Sequence, residues 1–149
     1  MDYSKLCDLL AAGKWKEADE ETFRVMLAVA KRKGVENFYR VKDTDNFPCA
    51  DLRTIDQLWV KYSDGRFGFS VQKRIYQGLG GTREYDLEIW KEFSDKVGWR
   101  KGGSLVYYWN ITFDKKAPEG HLPVAVWYNV GGRALVVVNG MLFLSRRDL

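Results

Sequence analysis

Residues 47–59 read FPCADLRTIDQLW, and residues 63–72 read SDGRFGFSVQ. Proline is favoured in the first turn of a helix, so Pro48 predicts a helix start. Four apolar residues then recur with helical spacing and share one face, namely Leu52, Ile55, Leu58 and Trp59. This pattern predicts a helix that buries the apolar face and turns Asp56 toward water. A turn should follow at residues 63–65.

Helical periodicity extends over much of the remaining chain. It predicts four further helices, at residues 3–15, 17–33, 69–77 and 85–97. Gly13, Gly34 and Gly98 fall where three of these helices should end. We therefore expect an all-α fold.

Several side chains have an expected place on these helices. Asp19 lies near the start of the second helix, where its negative charge should interact favourably with the helix dipole. Ser70 is the expected cap of the helix at residues 69–77. Leu87 is expected to face the core together with Trp90 and Phe93.

Other segments lack a helical period. Residues 35–46 are expected to form a surface loop. Residues 78–82 are interpreted as a hinge or loop, because they lack the third glycine and the preceding strand of a nucleotide-binding loop. Propensity alone favours a strand at residues 104–113. Residues 124–144 form an apolar tail that glycines interrupt, so it should pack on the domain instead of crossing a membrane.

Size and charge limit the class of protein. The chain has 149 residues, which suits a single domain over residues 1–149. Its net charge of +4 suits an acidic partner, such as nucleic acid, anionic lipid or a small carboxylate, without choosing among them. The two cysteines have no paired spacing, and residues 1–4 show no targeting pattern. We expect a soluble intracellular protein with reduced thiols.

The sequence offers no convincing catalytic or metal-binding set. His121 is the only histidine and lies in the loop at residues 117–123, where a structural hydrogen bond is more common than general-base catalysis. One histidine and two unpaired cysteines make a zinc site improbable. Asp43 and Asp45 resemble a calcium loop only faintly, because Phe47 and Pro48 occupy the glycine turn. We expect neither catalytic nor metal-ligating residues.

Aromatic residues make up 15% of the chain, and their commonest use is to fill a core. A sharper hypothesis is that some of them form a surface with arginines at its edge. The aromatic candidates are Phe47, Phe67, Phe69, Trp109, Trp127 and Tyr128, and the arginines are Arg66, Arg74, Arg100 and Arg133. Such a surface can stack the bases of single-stranded nucleic acid or the flat ring of a porphyrin. Stacking would then set the affinity and the arginines the orientation.

Five blocks of sequence resemble the genomes-uncoupled family of porphyrin-binding proteins, which assist magnesium chelatase in chlorophyll synthesis. The blocks are WKEADEET at residues 15–22, FPC at 47–49, GRFGFSVQ at 65–72, VGW at 97–99 and APEGHLP at 117–123. The resemblance implies a compact, mostly helical fold with a cupped ligand-binding surface. It favours irregular structure over a strand at residues 104–113.

The same resemblance implies a ligand and a set of site residues. The ligand would be protoporphyrin IX or Mg-protoporphyrin IX. Phe47 and Ala50 match ligand-contacting positions, and Trp127, Asn129 and Arg133 fall in the C-terminal part of the binding region. Three of the aromatic and arginine candidates named above complete the predicted ligand-binding set, namely Phe67, Arg100 and Tyr128.

The resemblance also implies a protein without turnover of its own, whose partner is the large subunit of magnesium chelatase. A monomer in the cyanobacterial cytoplasm or plastid stroma is expected, and peripheral membrane association stays open. Cys49 raises the alternative of a bilin ligand, either free or linked through the thiol. Single-stranded nucleic-acid binding is a further alternative that rests on charge and aromatic content alone, and the expected partners do not include nucleic acid.

Overall fold

The computed structural model describes residues 1–32, 45–127 and 144–149. These ranges contain five α-helices, a two-stranded sheet and two short 3-10 helices. The helices are α1 (Ser4–Ala11), α2 (Trp15–Arg32), α3 (Cys49–Tyr62), α4 (Phe69–Gly78) and α5 (Leu87–Lys96). The expected all-α architecture is confirmed, and the boundaries lie within a few residues of those that periodicity predicts.

Helices α1, α2 and α3 pack together around an aromatic centre. The ring centroids of Trp15 and Trp59 lie 6.1 Å apart, and Phe67 contacts both rings edge-on. Leu52, Ile55 and Trp59 are fully buried, and Leu58 is half-buried, as the spacing on α3 predicts. Burial of such large side chains contributes roughly 1.5–3 kcal/mol each.

The start of α4 differs from the prediction. Gly68 is its N-cap residue and provides no side-chain cap. Asp56 of α3 supplies the cap, because its Oδ1 accepts a hydrogen bond from the Ser70 backbone N–H at 2.8 Å. Asp56 is therefore buried and does not face water. Ser70 is not the cap of α4; its backbone N–H is one of the groups that Asp56 caps.

Helix α5 begins at Asp86, whose carboxylate accepts hydrogen bonds from the N–H groups of Glu88 and Ile89. Trp90 and Phe93 face the core as predicted, but Leu87 is 46% exposed. The helix starts later than the periodicity suggests, which leaves Leu87 in an unshielded first turn. Gly98 ends the helix with a φ of +81°, a conformation that glycine adopts without a Cβ clash.

Residues 104–113 do not form the strand that propensity favours. Only Ser104–Leu105 forms a strand, and it pairs antiparallel with Arg100–Lys101 across the turn at Gly102 and Gly103. A 3-10 helix follows at Tyr108–Asn110. The irregular structure implied by the family resemblance is confirmed here.

Residues 78–82 form a hydrogen-bonded turn. The N–H of Gly81 donates to the Tyr76 carbonyl at 2.9 Å, and the N–H of Gly80 donates to the Gln77 carbonyl at 3.0 Å. The Tyr76 hydroxyl donates to the Thr82 carbonyl at 2.7 Å. These bonds fix the exit of the chain from α4.

Two predictions concern residues that lie mostly outside the described ranges, namely the surface loop at 35–46 and the apolar tail at 124–144. At the edges of that tail, Val124, Trp127 and Leu144 are buried. No helix in the described part of the chain is both long enough and apolar enough to cross a membrane.

Candidate functional site

The loop at residues 114–124 is joined to the segment between α3 and α4. The N–H of Gly68 donates to the Leu122 carbonyl at 3.0 Å, and the N–H of Gly120 donates to the Arg66 carbonyl at 2.9 Å. Arg66 Nε also donates to the Ala117 carbonyl at 2.7 Å. The GRFG and GHLP blocks therefore form one joint, although about fifty residues separate them in the sequence.

His121 holds the centre of this joint. Its Nδ1–H donates to the Val97 carbonyl at 2.6 Å, and its Nε2 accepts from the Thr112 N–H at 3.1 Å. The His121 carbonyl accepts from the indole of Trp99 at 2.8 Å. Burial lowers the pKa of His121, so the ring is neutral at neutral pH, as both of its hydrogen bonds require. The predicted structural hydrogen-bonding role is confirmed.

Asp19 is a second buried polar group at this end of the molecule. It lies on α2 with no exposed surface. Its Oδ1 accepts from the N–H groups of Val124 and Ala125 at 2.7 and 3.2 Å, and its Oδ2 accepts from the Tyr108 hydroxyl at 2.8 Å. Burial raises the pKa of Asp19 to about 6. Proximity to the helix start predicts an acidic residue here but not its burial.

The most exposed large apolar side chain of the described residues lies three positions before Thr112, whose N–H is bonded to His121. Trp109 is 65% exposed, and Tyr107 is 38% exposed. Their rings stack with centroids 4.7 Å apart and planes within 5° of parallel. We call Tyr107 and Trp109 the exposed aromatic pair. The pair is a flat apolar surface of the kind that binds planar ligands by stacking.

Three residues of the predicted ligand-binding set are buried. Phe67 has no exposed surface and packs on Trp15 and Trp59. Phe47 is 2% exposed, and Arg146 donates to its carbonyl at 2.7 Å. Trp127 is 4% exposed and packs against Trp90 and Trp99. A ligand can reach these three side chains only if the surrounding packing opens, so their binding role stays a prediction.

The remaining members of the set are distributed differently. Ala50 is exposed in the first turn of α3. Arg100 lies on the short hairpin, where it donates to the Gly103 carbonyl at 3.2 Å and pairs with Asp95 at 3.3 Å. Tyr128, Asn129 and Arg133 lie outside the described residues, so the structure does not place them.

The surface predicted from composition is not continuous. Phe69 is buried with Phe67, which leaves Trp109 as the exposed aromatic among the described candidates. Arg66 is bonded to the Ala117 carbonyl, and Arg74 forms an ion pair with Glu119. These contacts draw two of the arginines away from a nucleic-acid role. Within the described ranges, no three acidic, cysteine or histidine side chains gather as a metal site would require.

Sequence reasoning missed Tyr107 and Asp19 as parts of this region. The signal for Tyr107 was the aromatic run Tyr107-Tyr108-Trp109, but the sequence does not show that the 3-10 helix at Tyr108–Asn110 brings the first and third rings together. Asp19 had a weaker signal, because acidic residues near helix starts are usually exposed.

The sequence is similar to that of a known protein family and of several curated proteins. The family model described as GUN4-like matches residues 1–136. The Ycf53-like protein of Synechocystis sp. is 34% identical over 127 residues, which cover 83% of this chain and 51% of that protein. The tetrapyrrole-binding protein, chloroplastic, of Arabidopsis thaliana is 32% identical over 126 residues, which cover 74% of this chain and 43% of that protein. The chain thus spans about half the length of the curated relatives that it matches.

The fold has a solved counterpart. The ligand-free structure of Arabidopsis thaliana GUN4 matches with a TM-score of 0.75 and 25% identity, over 99% of this chain and 97% of that chain. The fold therefore agrees with that of a solved structure over almost the whole length of the chain. The chain belongs to the GUN4-like family.

Proposed function

We propose that this chain is a non-catalytic regulatory module that binds protoporphyrin IX and Mg-protoporphyrin IX. Family membership and the name of the Arabidopsis relative, tetrapyrrole-binding protein, support a porphyrin as the ligand. The structural observation that carries the proposal is the exposed aromatic pair, in which Trp109 is 65% exposed while stacked on Tyr107.

The geometry of the pair suits a porphyrin. A stacked pair of parallel rings presents a flat outer face, and a porphyrin ring can extend the stack with a further apolar disc. This burial removes apolar area from water on both partners. The basic residues Arg100 and Lys101 precede the pair on the hairpin. Lys101 can orient an anionic propionate, and Arg100 can do so by exchanging its ion pair with Asp95, but each exposed pair adds only about 0.2–1 kcal/mol. Stacking therefore dominates the proposed affinity.

A titration tests this proposal. Protoporphyrin IX is added to the protein at micromolar concentration, while the tryptophan emission and the porphyrin absorption band are followed. Replacement of one stacking side chain by alanine typically removes roughly 1–3 kcal/mol, so Trp109→Ala should weaken binding about 5- to 150-fold.

The matched control is Tyr85→Ala, because Tyr85 is also an exposed aromatic residue, at 46%, but does not belong to the pair. It should bind as the wild type does. Lack of saturable binding by the wild type would disprove the proposed function. Equal loss in both variants would show that the pair is not the contact surface.

The regulatory part of the proposal is that the chain promotes magnesium insertion by magnesium chelatase through contact with the large subunit of that enzyme. A monomer in the cyanobacterial cytoplasm or plastid stroma is proposed as the working form, with peripheral membrane association as an option. The chloroplastic Arabidopsis relative and the Synechocystis relative support these compartments. The test is the rate of magnesium insertion by purified chelatase with and without the chain. An unchanged rate would remove this part and leave porphyrin binding intact.

A bilin ligand is the second candidate, and one observation favours it. Cys49 is exposed at the first turn of α3, and its Sγ lies 3.3 Å from Arg146 Nη2, which donates to it. An accessible thiol beside a cation can add across a carbon–carbon double bond of a bilin to form a thioether, and the thiol proton passes to the bilin, so there is no leaving group and no oxidant is needed. Incubation with phycocyanobilin, followed by denaturation, tests this point. Chromophore retained by the wild type but not by Cys49→Ser would support attachment, and none retained by either would exclude it.

A further inference from the structure

One buried carboxylate connects α2 with two other segments. Asp19 Oδ2 accepts from Tyr108, which belongs to the 3-10 helix at Tyr108–Asn110, and Oδ1 accepts from the N–H groups of Val124 and Ala125. Ala125 begins the second 3-10 helix, Ala125–Trp127. Within the described residues, Asp19 is the only side chain shown to join α2 to both segments through hydrogen bonds.

Tyr108 lies between the two members of the exposed aromatic pair in the sequence. Its ring turns inward, where it contacts Phe113 edge-on at 5.6 Å and bonds to Asp19. Its two neighbours turn outward and stack on each other. Tyr107 is extended, whereas Tyr108 and Trp109 lie in the 3-10 helix, where consecutive side chains are about 120° apart, so an inward Tyr108 leaves Tyr107 and Trp109 at the surface.

We infer that Asp19 is a positioning residue for the proposed porphyrin site, because its carboxylate holds Tyr108 inward and thereby presents Tyr107 and Trp109 as one stacked surface. This inference rests on the proposed function. Asp19 does not touch the ligand. It fixes the orientation of the exposed pair and ties that orientation to the 3-10 helix that carries Trp127.

The negative charge on Asp19 determines how strongly its carboxylate holds the Tyr108 hydroxyl. A hydrogen bond from a hydroxyl to a carboxylate is roughly twice as strong as a neutral one, so the ionised form holds Tyr108 more firmly. The titratable groups that act on Asp19 are Glu20 of its own helix and the phenol of Tyr108, and the segment at Val124 and Ala125 presents main-chain N–H groups. The Asp19 pKa of about 6 places the loss of charge in an accessible range.

The experiment compares protoporphyrin IX binding at pH 7.5 by the wild type and four variants of the whole chain. Asp19→Asn keeps the shape but removes the charge, and Tyr108→Phe removes the donor. The double variant tests whether both act through one contact. Trp109→Ala reports on the proposed site itself.

Asp56→Asn is the matched control. Asp56 is also a buried helix carboxylate whose pKa is raised by burial, and it also accepts a backbone N–H, but it caps α4 and has no bond to Tyr108. A change in binding that follows only from reduced stability would appear in this variant too. Unfolding midpoints are measured for all variants, and Tyr108→Phe carries the test if Asp19→Asn does not fold.

Asp19→Asn and Tyr108→Phe should each weaken binding roughly fivefold, and the double variant should be no weaker than the weaker single variant. Asp56→Asn should bind as the wild type does. The ratio of the Asp19→Asn and wild-type dissociation constants should approach one as the pH falls to about 5, since the wild-type carboxyl is then protonated. This ratio cancels titration of the ligand.

Two other outcomes can be told apart. If Trp109→Ala weakens binding while Asp19→Asn and Tyr108→Phe do not, the proposed function stands and the positioning role of Asp19 is overturned. The same conclusion follows if Asp56→Asn loses as much affinity as Asp19→Asn. If the wild type does not bind, or Trp109→Ala binds equally well, the proposed function fails and the inference falls with it.

Discussion

The indole Nε1 of Trp59 donates a hydrogen bond to Thr22 Oγ1 at 2.9 Å, and neither residue has exposed surface. The Thr22 hydroxyl donates in turn to the Ala18 carbonyl at 2.8 Å. Thr22 therefore uses its hydroxyl both as donor and as acceptor, and it satisfies the one polar atom of the largest side chain between α2 and α3. This contact explains why a threonine, with a hydroxyl group, occupies the last position of the WKEADEET block.

Thr22→Val should lower the free energy of unfolding by about 1–3 kcal/mol. Valine has nearly the shape of threonine but leaves the Trp59 N–H buried without an acceptor. Thr22→Ser keeps the hydroxyl and should retain more of the stability than Thr22→Val. Urea denaturation followed by tryptophan fluorescence measures both variants. Equal stabilities for the two would show that the hydrogen bond contributes nothing.

His121 should make the protein less stable in mild acid. Burial lowers its pKa below the ordinary value of 6.5. Between 6.5 and that lower pKa the unfolded chain binds a proton that the folded chain does not, so stability is complete above pH 6.5 and declines as the pH falls through the folded-state pKa. His121→Gln removes this titration. The stability advantage of the wild type over His121→Gln should therefore shrink from pH 7.5 to pH 5, and a constant difference would contradict the assignment.

Asp19 should act in the opposite direction. Its pKa rises from 3.8 to about 6 on folding, so the folded chain takes up the proton first as the pH falls. The Asp19 contribution to stability therefore increases between pH 6 and pH 4, by up to about 3 kcal/mol, and is constant above that window. Asp19→Asn should lack this increase. Denaturation curves at several pH values, for wild type and Asp19→Asn, measure it, and parallel pH profiles would refute it.

Gly81→Ala should destabilise the protein by roughly 1–3 kcal/mol, because a Cβ at this position would overlap the buried ring of Tyr76. Tyr76 packs on Phe93 with ring centroids 5.7 Å apart, so its ring has little room to move. Gly78→Ala is the control, since nothing lies within 4 Å of a Cβ there. Alanine at the end of α4 should be neutral or add up to about 1 kcal/mol. Thermal unfolding distinguishes the two, and equal midpoints would show that residues 78–82 adapt freely.

The helices were predictable because their apolar spacing is a local property. Leu52, Ile55 and Trp59 reveal a buried face without knowledge of what covers it. Asp19 and Asp56 were not predictable, because the donors that justify their burial are distant in sequence, at Val124 and Ser70. The same limit applies to the site. The aromatic content pointed to a stacking surface, but only tertiary packing shows that Phe67 fills the core while Trp109 stays outside.

The family blocks had a different value as signals. They pointed to residues with a structural role without showing which groups those residues contact. Gln72, in the GRFGFSVQ block, donates to the carbonyls of Gly120 and Pro123 at 3.0 and 2.8 Å. His121 and Arg66 likewise bond to main-chain groups. These three residues of the blocks therefore hold the scaffold, and the binding role of Phe67, which lies in the same GRFGFSVQ block, stays a prediction.

The chain has six tryptophans, of which five are buried and only Trp109 is largely in contact with solvent. Water-exposed indole emits at longer wavelength than indole in an apolar interior, so emission collected on the long-wavelength side of the band is weighted toward Trp109 over the other five. A change in the surroundings of Trp109 can thus be followed through the emission of that residue. Docking, titration and release can be timed in a stopped-flow instrument on the unmodified protein, with no attached dye to disturb the surface under study.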